Sequence, residues 1–151
     1  MAKHLIFADG HLADRAWVKR EVVGDSYFAL KQILKIQFEH DCKSVTSAGD
    51  LVDQTRNFSA PIANLGEFIA QLHARDCPFY FIQGQHDLAD PPWPSQFDGA
   101  YYVNKKTFKL GEMTAYGLDY LHADELEEAL ADIPKKASIL IGHQAWEECK
   151  A

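Results

Sequence analysis

Carboxylate, imidazole and amide side chains follow four separate apolar segments of this 151-residue sequence. The residues concerned are Asp9 and His11, then Asp50 and Asp53, then Gln85, His86 and Asp87, and finally His143. Carboxylate oxygens and imidazole nitrogens are ligands for divalent cations such as Mn²⁺, Fe²⁺ and Zn²⁺, and one aspartate can bridge two ions. These residue types predict a metal site if the fold brings the four segments together. The candidate ligands are Asp9, His11, Asp50, Gln85 and His143.

Hydrophobic spacing predicts the elements that must position these residues. The apolar segments at 4–8, 45–48, 79–82 and 138–141 are typical of buried strands. Between them, two sets of apolar residues recur at helical intervals, namely Tyr27, Leu30, Leu34 and Phe38, and then Ile62, Leu65, Ile69 and Leu72. Strands that alternate with helices favour a parallel sheet. In an open parallel sheet the carboxyl ends of the strands share one edge, where ligands bind.

The rest of the chain completes a single predicted domain over residues 1–151. Residues 100–118 alternate enough to predict short strands that begin a second sheet, and "ADELEEALADI" predicts an acidic surface helix. The expected fold class is α/β, with a mainly parallel central sheet flanked by helices and a second sheet left incomplete towards the C-terminus.

Composition limits the classes of partner. Fifteen Lys and Arg residues against 22 Asp and Glu give a net charge of −7, so a polyanionic substrate needs bound cations or a partner. The sequence has neither a signal-peptide layout nor a run of about 18 apolar residues, so we expect a cytoplasmic, intracellular protein that makes no membrane contact. Cys42, Cys77 and Cys149 are odd in number and widely separated, which predicts reduced and mostly buried thiols.

Four short motifs occur in a recognisable order: "DGH" at 9–11, "GDLVD" at 49–53, "GQHD" at 84–87 and "GH" at 142–143. Their order and spacing resemble the calcineurin-like metallophosphoesterases, whose signature is D-x-H, G-D-x-x-D, G-N-H-D or G-N-H-E, a histidine, and then G-H-x-H. Within that superfamily, "GDSYFALKQI" and "ILIGHQ" are most similar to the SbcD-type DNA-repair exonuclease subunit and its bacteriophage relatives. The resemblance implies two sheets packed face to face between helical layers.

The resemblance also implies a role for each motif residue. Two divalent ions, Mn²⁺ foremost with Fe, Zn or Mg as alternatives, would bind two ligand sets: Asp9, His11 and Asp50 for one ion, and Asp50, Gln85 and His143 for the other. His86 would protonate the leaving oxygen or stabilise the transition state, with Asp87 orienting it. Asp53 is expected to support its loop or cap a turn. The family also suggests an ATPase partner subunit. Four histidines, at positions 4, 40, 73 and 122, are not expected to be ligands.

Two departures from the family pattern affect the predicted site. Gln85 stands where the family has asparagine, so its amide oxygen lies one methylene further from the backbone. After His143 the sequence reads "QAWEECKA" with no further histidine, so the G-H-x-H motif is absent. Each ion is therefore expected to lack one protein ligand.

Three functions stay open at the level of the sequence. The first is a two-metal phosphodiesterase, specifically a DNA exonuclease or endonuclease subunit. The second is a truncated or split family member that acts as an interaction module or needs a second chain to supply the missing metal ligands. The third is a small-molecule phosphoesterase, which would share the same motifs. An uncovered sheet face would favour a homo-oligomer.

Overall fold

The computed structural model describes residues 2–13, 25–53 and 59–144, apart from the side chains of residues 25, 26 and 59. Within these ranges the elements follow the order β1 (Lys3–Phe7), α1 (Asp25–His40), β2 (Cys42–Ala48), α2 (Ser59–His73), β3 (Phe79–Ile82), β4 (Ala100–Tyr102), β5 (Thr107–Leu110), β6 (Met113–Leu118), α3 (Ala123–Ala131) and β7 (Ile139–Gly142). A short 3-10 helix at Trp93–Gln96 precedes β4.

The first sheet has the strand order β1-β2-β3-β4, and every neighbouring pair is parallel. Phe7 lies opposite Ser47, and Ala48 lies opposite Ile82, so β1, β2 and β3 end nearly level. The prediction of an α/β protein with a mainly parallel central sheet is confirmed. The loops after these strands therefore start from one edge, as the sequence analysis expected.

Helices α1 and α2 cover one face of this sheet. The predicted stripe of α2 is confirmed, since Leu65, Ile69 and Leu72 are fully buried and Ile62 packs against the same core. The predicted stripe of α1 is wrong at Phe38, whose side chain is 69% exposed. Gln37 takes the inward position because its amide nitrogen donates to the Cys42 carbonyl oxygen at 3.0 Å. A hydrogen bond, which hydrophobic spacing does not register, determines which residue faces inward there.

The second sheet has the order β5-β6-β7, in which β5 and β6 form an antiparallel hairpin and β7 lies parallel to β6. Two strand assignments from the sequence are wrong. β4 was expected to begin the second sheet, but Ala100 pairs with Phe79 of β3 in the first. The sequence pattern predicts that residues 138–141 join the central parallel strands, but Ile141 of β7 pairs with Gly117 of β6 in the second sheet, to which α3 returns the chain.

The second sheet packs on the face of the first sheet that the helices leave uncovered. Along β3, Phe79 and Phe81 lie in the core beneath the helices, whereas Ile82 belongs to a second core that includes Phe108 and Ile141. This alternation follows from the two-residue period of a strand. The first sheet is therefore buried on both faces, and its carboxyl-terminal edge is the part left open for chemistry.

The buried thiols agree with the sequence for the two cysteines that the structure describes. Cys42 and Cys77 are both buried and free. Burial raises the pKa of the Cys77 thiol to about 11, so this thiol is protonated at neutral pH. Cys149 lies outside the described residues. Among the helices described, none combines the length and the apolar character needed to cross a bilayer.

Candidate metal centre

The loops after β1 and β2 continue side by side beyond the ends of the strands. The backbone N–H of Asp9 donates to the Gly49 carbonyl at 3.1 Å, and that of His11 donates to the Asp50 carbonyl at 2.9 Å. Asp9, His11 and Asp50 all have left-handed backbone angles, with φ of 56°, 40° and 49°. Such angles are uncommon outside glycine, are adopted most readily by Asn, Asp and His, and cluster at functional sites. The local backbone thus presents three predicted ligands at one edge.

The Asp50 carboxylate is the centre of this edge. Its side chain is 2% exposed, and its Oδ1 accepts the backbone N–H of His86 at 2.8 Å. Its Oδ2 lies 3.1 Å from Nε2 of His143 and 3.9 Å from Nε2 of His11. One oxygen is therefore fixed by the protein, and the other faces two imidazoles.

The His143 imidazole is oriented by a backbone carbonyl. Its Nδ1 lies 2.9 Å from the Ala48 carbonyl oxygen, which can only accept, so Nδ1 carries a hydrogen. In the neutral ring Nε2 then points a lone pair towards Asp50, and a proton or a cation must lie between the two acceptors. Metal-ligating histidines commonly donate their other N–H in this way. A Cβ at Gly49, where φ is +97°, would lie 2.7 Å from the His143 side chain, so this approach needs glycine.

Asp9 and His11 form the other side of the centre. Nε2 of His11 lies 3.8 Å from Oδ1 of Asp9, and the ligand atoms of Asp9, His11 and Asp50 all lie within 4.8 Å of one another. Asp9 and His11 are open to solvent, whereas Asp50 lies beneath them. These three residues could hold a metal ion, as the sequence predicted.

The loop after β3 packs directly on Asp50. A Cβ at Gly84 would lie 2.1 Å from Oδ1 of Asp50, which explains the glycine that opens this motif. Asp87 is buried, and its carboxylate accepts the backbone N–H groups of Gly84 at 2.6 Å and Leu51 at 2.7 Å. Burial raises the pKa of Asp87 to about 6, although these hydrogen bonds act in the opposite direction. The structure therefore places the Asp87 carboxylate on the backbone of two loops and not on the His86 ring.

His86 and Gln85 are the exposed residues of this loop. The His86 ring lies 5.1 Å from the His11 ring in an edge-on contact. Gln85 lies beside it, with its amide nitrogen 3.3 Å from Nε2 of His86. Within the described part of the chain, no contact brings the Gln85 side chain to Asp50 or His143. The second predicted ligand set is thus assembled for Asp50 and His143 but not for Gln85.

The other predicted positions lie away from the ligand atoms. The backbone N–H of Asp53 donates to the Leu12 carbonyl at 3.2 Å, which joins the loops after β2 and β1. His4 is in β1, where its Nδ1 lies 2.8 Å from the Ser44 hydroxyl. His40 and His73 end α1 and α2, just before the amino ends of the next strands, and His122 precedes α3. None of these four histidines contacts the described site residues.

Sequence reasoning missed Asp119, a buried carboxylate at the end of β6. Its Oδ1 accepts the Gln83 backbone N–H at 2.8 Å, and its Oδ2 accepts the Tyr102 hydroxyl. The signal was present, because Asp119 directly follows an apolar strand, as Asp9 and Asp50 nearly do. Nothing in the sequence pattern identified Tyr102 as its partner.

Comparison with protein-family models and with curated proteins gave no significant match. Any assignment of function therefore depends on the motifs and their geometry. Four of the five predicted ligands, Asp9, His11, Asp50 and His143, meet at one edge of the fold, and the fifth, Gln85, lies on the adjoining loop.

Proposed function

We propose that this chain is a divalent-metal-dependent phosphodiesterase whose two metal positions share the Asp50 carboxylate. The observation that supports the proposal is the environment of Asp50, whose Oδ2 faces both His11 and His143 while Oδ1 is held by a backbone N–H. A mixed carboxylate and imidazole set suits Mn²⁺, Fe²⁺ or Zn²⁺. We take Mn²⁺ as the first ion to test.

The proposed ligands fall on two sides of Asp50. Asp9, His11 and Asp50 would hold one ion, and Asp50 and His143 would hold the other. The Gln85 amide oxygen would join the second position after a rotation of its side chain away from His86. When bound, two such ions supply an activated water and neutralise charge on the phosphoryl oxygens during in-line displacement.

The protein's own contribution to proton transfer is assigned to His86. Its backbone N–H is fixed on Asp50, and its imidazole is exposed at the open edge beside His11. An imidazole in that position can donate a proton to the leaving oxygen of a phosphodiester bound at the edge. Asp87 would act indirectly. Its carboxylate accepts backbone N–H groups from the loops that carry His86 and Asp50, and so fixes the position of those loops.

DNA is the substrate class that we propose. Lys105 and Lys106 are exposed and follow β4 at the same edge of the first sheet as the metal ligands. β4 lies two strand spacings from β2, so this turn begins about 10 Å from Asp50 along the edge. In a protein of net charge −7, two cations in this position favour a substrate that carries phosphates beyond the one attacked.

The second candidate function is a site that another polypeptide completes. It is favoured by the position of Gln85, which leaves the second metal position with only Asp50 and His143 among the described residues. On this alternative, the chain binds the second ion weakly by itself. A partner that supplies a further ligand would then restore both the ion and the activity.

The test is Mn²⁺-dependent hydrolysis by the purified 151-residue chain, with single-stranded DNA and bis(p-nitrophenyl) phosphate as parallel substrates. We expect slow turnover of both that is lost in Asp50→Asn and retained in Asp98→Asn. Asp98 is a suitable control because it is exposed in the turn before β4, at the opposite edge of the sheet. A chain that neither binds Mn²⁺ nor hydrolyses either substrate would contradict the phosphodiesterase proposal for the chain alone.

A separate variant distinguishes DNA from a small phosphoester as the substrate. Lys105→Ala should raise KM for DNA several-fold while leaving KM for bis(p-nitrophenyl) phosphate unchanged, because only DNA extends to that turn. Equal kinetics in the parent and Lys105→Ala on both substrates would instead favour a small-molecule phosphoesterase.

A further inference from the structure

A polar network lies behind the proposed metal edge, formed by the buried Asp119 and Gln83 and the half-buried Tyr102 and Gln144, and we call these four residues the joint network. Asp119 accepts the Gln83 backbone N–H and the Tyr102 hydroxyl, and that hydroxyl also lies 3.2 Å from Oε1 of Gln83. Burial and the interaction with Asp119 raise the pKa of Tyr102, so its hydroxyl stays a donor. Every member has a described hydrogen-bond partner, which is what makes a buried polar cluster stabilising.

The joint network connects the two sheets. Gln83 follows β3 and Tyr102 ends β4, both in the first sheet, whereas Asp119 follows β6 in the second. Gln144 follows β7, and its amide nitrogen donates to the Asp119 carbonyl oxygen at 2.7 Å. All four members therefore lie at the carboxyl ends of strands, as the proposed metal ligands do.

The joint network also contacts the two chain segments that lie against the Asp50 side chain, namely the loop after β3 and the residues that follow β7. The amide nitrogen of Gln83 donates to the Asp87 carbonyl oxygen at 2.7 Å, on the loop whose His86 N–H holds Asp50. Gln144 is adjacent to His143 in the chain. The network thus links the loop beneath the Asp50 carboxylate to the residue that carries the second imidazole.

The geometry of the two proposed metal positions depends to different degrees on the joint network. Asp9, His11 and Asp50 come from adjacent strands of one sheet, whose backbone pairing fixes their spacing. The second position needs Asp50 from the first sheet and His143 from the second. The 3.1 Å between Oδ2 of Asp50 and Nε2 of His143 is therefore set by how the two sheets meet at this edge.

We propose that Asp119 and Tyr102 are positioning residues that bring the His143 imidazole to Asp50 and so control the second metal position, but not the first. Other contacts keep the sheets together when either side chain is changed. The backbone N–H of Tyr120 donates to the Gln83 carbonyl at 2.9 Å, and the apolar core between the sheets is untouched. The effect on metal binding rests on the proposed function, whereas the position of His143 in the metal-free protein does not.

Four variants separate positioning from folding. Tyr102→Phe removes one hydroxyl and keeps the ring that stacks on Phe81 at 5.3 Å. Asp119→Ala removes both acceptors, whereas Asp119→Asn keeps an oxygen for the Gln83 N–H and a polar partner for Tyr102. Tyr101→Phe is the matched control, because Tyr101 is exposed on the same strand.

The measurements cover metal-free and metal-bound protein. In metal-free protein, the imidazole ¹⁵N signals of His143 report whether Nδ1 and Nε2 keep their contacts with the Ala48 carbonyl and the Asp50 carboxylate, and thermal unfolding reports stability. With Mn²⁺, calorimetry gives the two dissociation constants. In Tyr102→Phe and Asp119→Ala we expect His143 ¹⁵N signals that are shifted from those of the parent, and a second Kd raised about 10-fold or more, with the first Kd changed by less than about 2-fold. Asp119→Asn and Tyr101→Phe should match the parent.

Two results would overturn the positioning role. One is a His143 ¹⁵N pattern in folded Tyr102→Phe and Asp119→Ala that is identical to that of the parent. The other is an equal weakening of both Mn²⁺ sites together with a lower unfolding temperature, which would show a purely structural role. If the parent binds no Mn²⁺, the proposed function fails, and the metal-free ¹⁵N signals still decide whether the joint network positions His143.

Discussion

The two sides of the proposed metal centre are built by different means. On the Asp9 and His11 side, β1 and β2 are neighbours, and their backbone pairing extends past the strand ends to Leu12 and Leu51. On the His143 side, Asp50 meets a residue from another sheet, and the joint network connects the two sheets. Local register is sufficient to place ligands from paired strands. Ligands from separate sheets depend on side-chain contacts made elsewhere.

The largest effect is expected when the Asp50 carboxylate, which both sides of the proposed centre share, is removed. Asp50→Asn replaces the shared carboxylate by a neutral amide, so Mn²⁺ binding should fall below detection at both positions. Calorimetry on the parent, Asp50→Asn and the control Asp98→Asn tests this expectation. Two ions bound by Asp50→Asn as in the parent would refute the shared-ligand assignment.

A smaller effect should separate the two sides from each other. His143→Ala should weaken only the second ion, and His11→Ala only the first, each by at least the 10–100-fold that loss of a supporting residue costs. His40→Ala is the matched control, because His40 ends α1 at the opposite edge of the sheet. If His143→Ala leaves both Mn²⁺ dissociation constants unchanged, His143 is not a ligand.

A third variant should leave both metal positions intact and reduce the chemistry. His86→Ala keeps the backbone N–H that holds Asp50, so the number of bound Mn²⁺ ions should not change. Loss of a positioned acid should lower kcat by roughly 10²-fold. The measurement is turnover of bis(p-nitrophenyl) phosphate alongside Mn²⁺ stoichiometry. Parent-like turnover in His86→Ala would remove it from the catalytic step.

The smallest expected effect concerns Asp87, which holds the two loops within the first sheet. Its pKa is raised to about 6 by burial, from 3.8. Between about pH 4 and pH 6 the unfolded chain ionises while the folded carboxyl keeps its proton, so metal-free stability should fall by about 1–3 kcal/mol as pH rises. Below about pH 4 the protonated Asp87 makes its full contribution to the free energy of unfolding. Above about pH 6 that contribution is lost and does not change further with pH.

Asp87→Asn provides the comparison for this pH dependence, because it removes the titrating group and leaves the other buried acids in place. Urea unfolding of metal-free parent and Asp87→Asn at several pH values measures the difference. The stability of the parent relative to the variant should decrease from pH 4 to pH 6. Parallel pH profiles for the two proteins would show that Asp87 is not titrating in this range.

The contrast between ligands from paired strands and ligands from separate sheets also explains which features the sequence could predict. The strands at 79–82 and 45–48, the second helix and the edge that gathers Asp9, His11 and Asp50 follow from periodicity and from the rule that parallel strands share an edge. The sequence pattern predicts His143 at that edge, but through the wrong sheet, because β7 pairs with β6. Periodicity identifies a buried strand but not its neighbour, because pairing partners are chosen by the connections between strands.

The remaining differences have the same kind of physical cause. The helical spacing groups Phe38 with the apolar residues of α1, but Phe38 is exposed and Gln37, which is hydrogen-bonded to the Cys42 carbonyl, is buried. Asp87 was expected to orient His86, but two backbone N–H groups take its oxygens. The partner of a buried acid is decided by tertiary contacts that sequence spacing does not contain.

In the proposed centre, one carboxylate, Asp50, binds two metal ions. Electron paramagnetic resonance of the parent at saturating Mn²⁺ tests it most directly, because two ions on a shared carboxylate are magnetically coupled. We expect a coupled signal that is present in Asp98→Asn and absent in Asp50→Asn. A spectrum of isolated Mn²⁺ alone, in a parent shown by calorimetry to bind two ions, would contradict the shared-carboxylate centre.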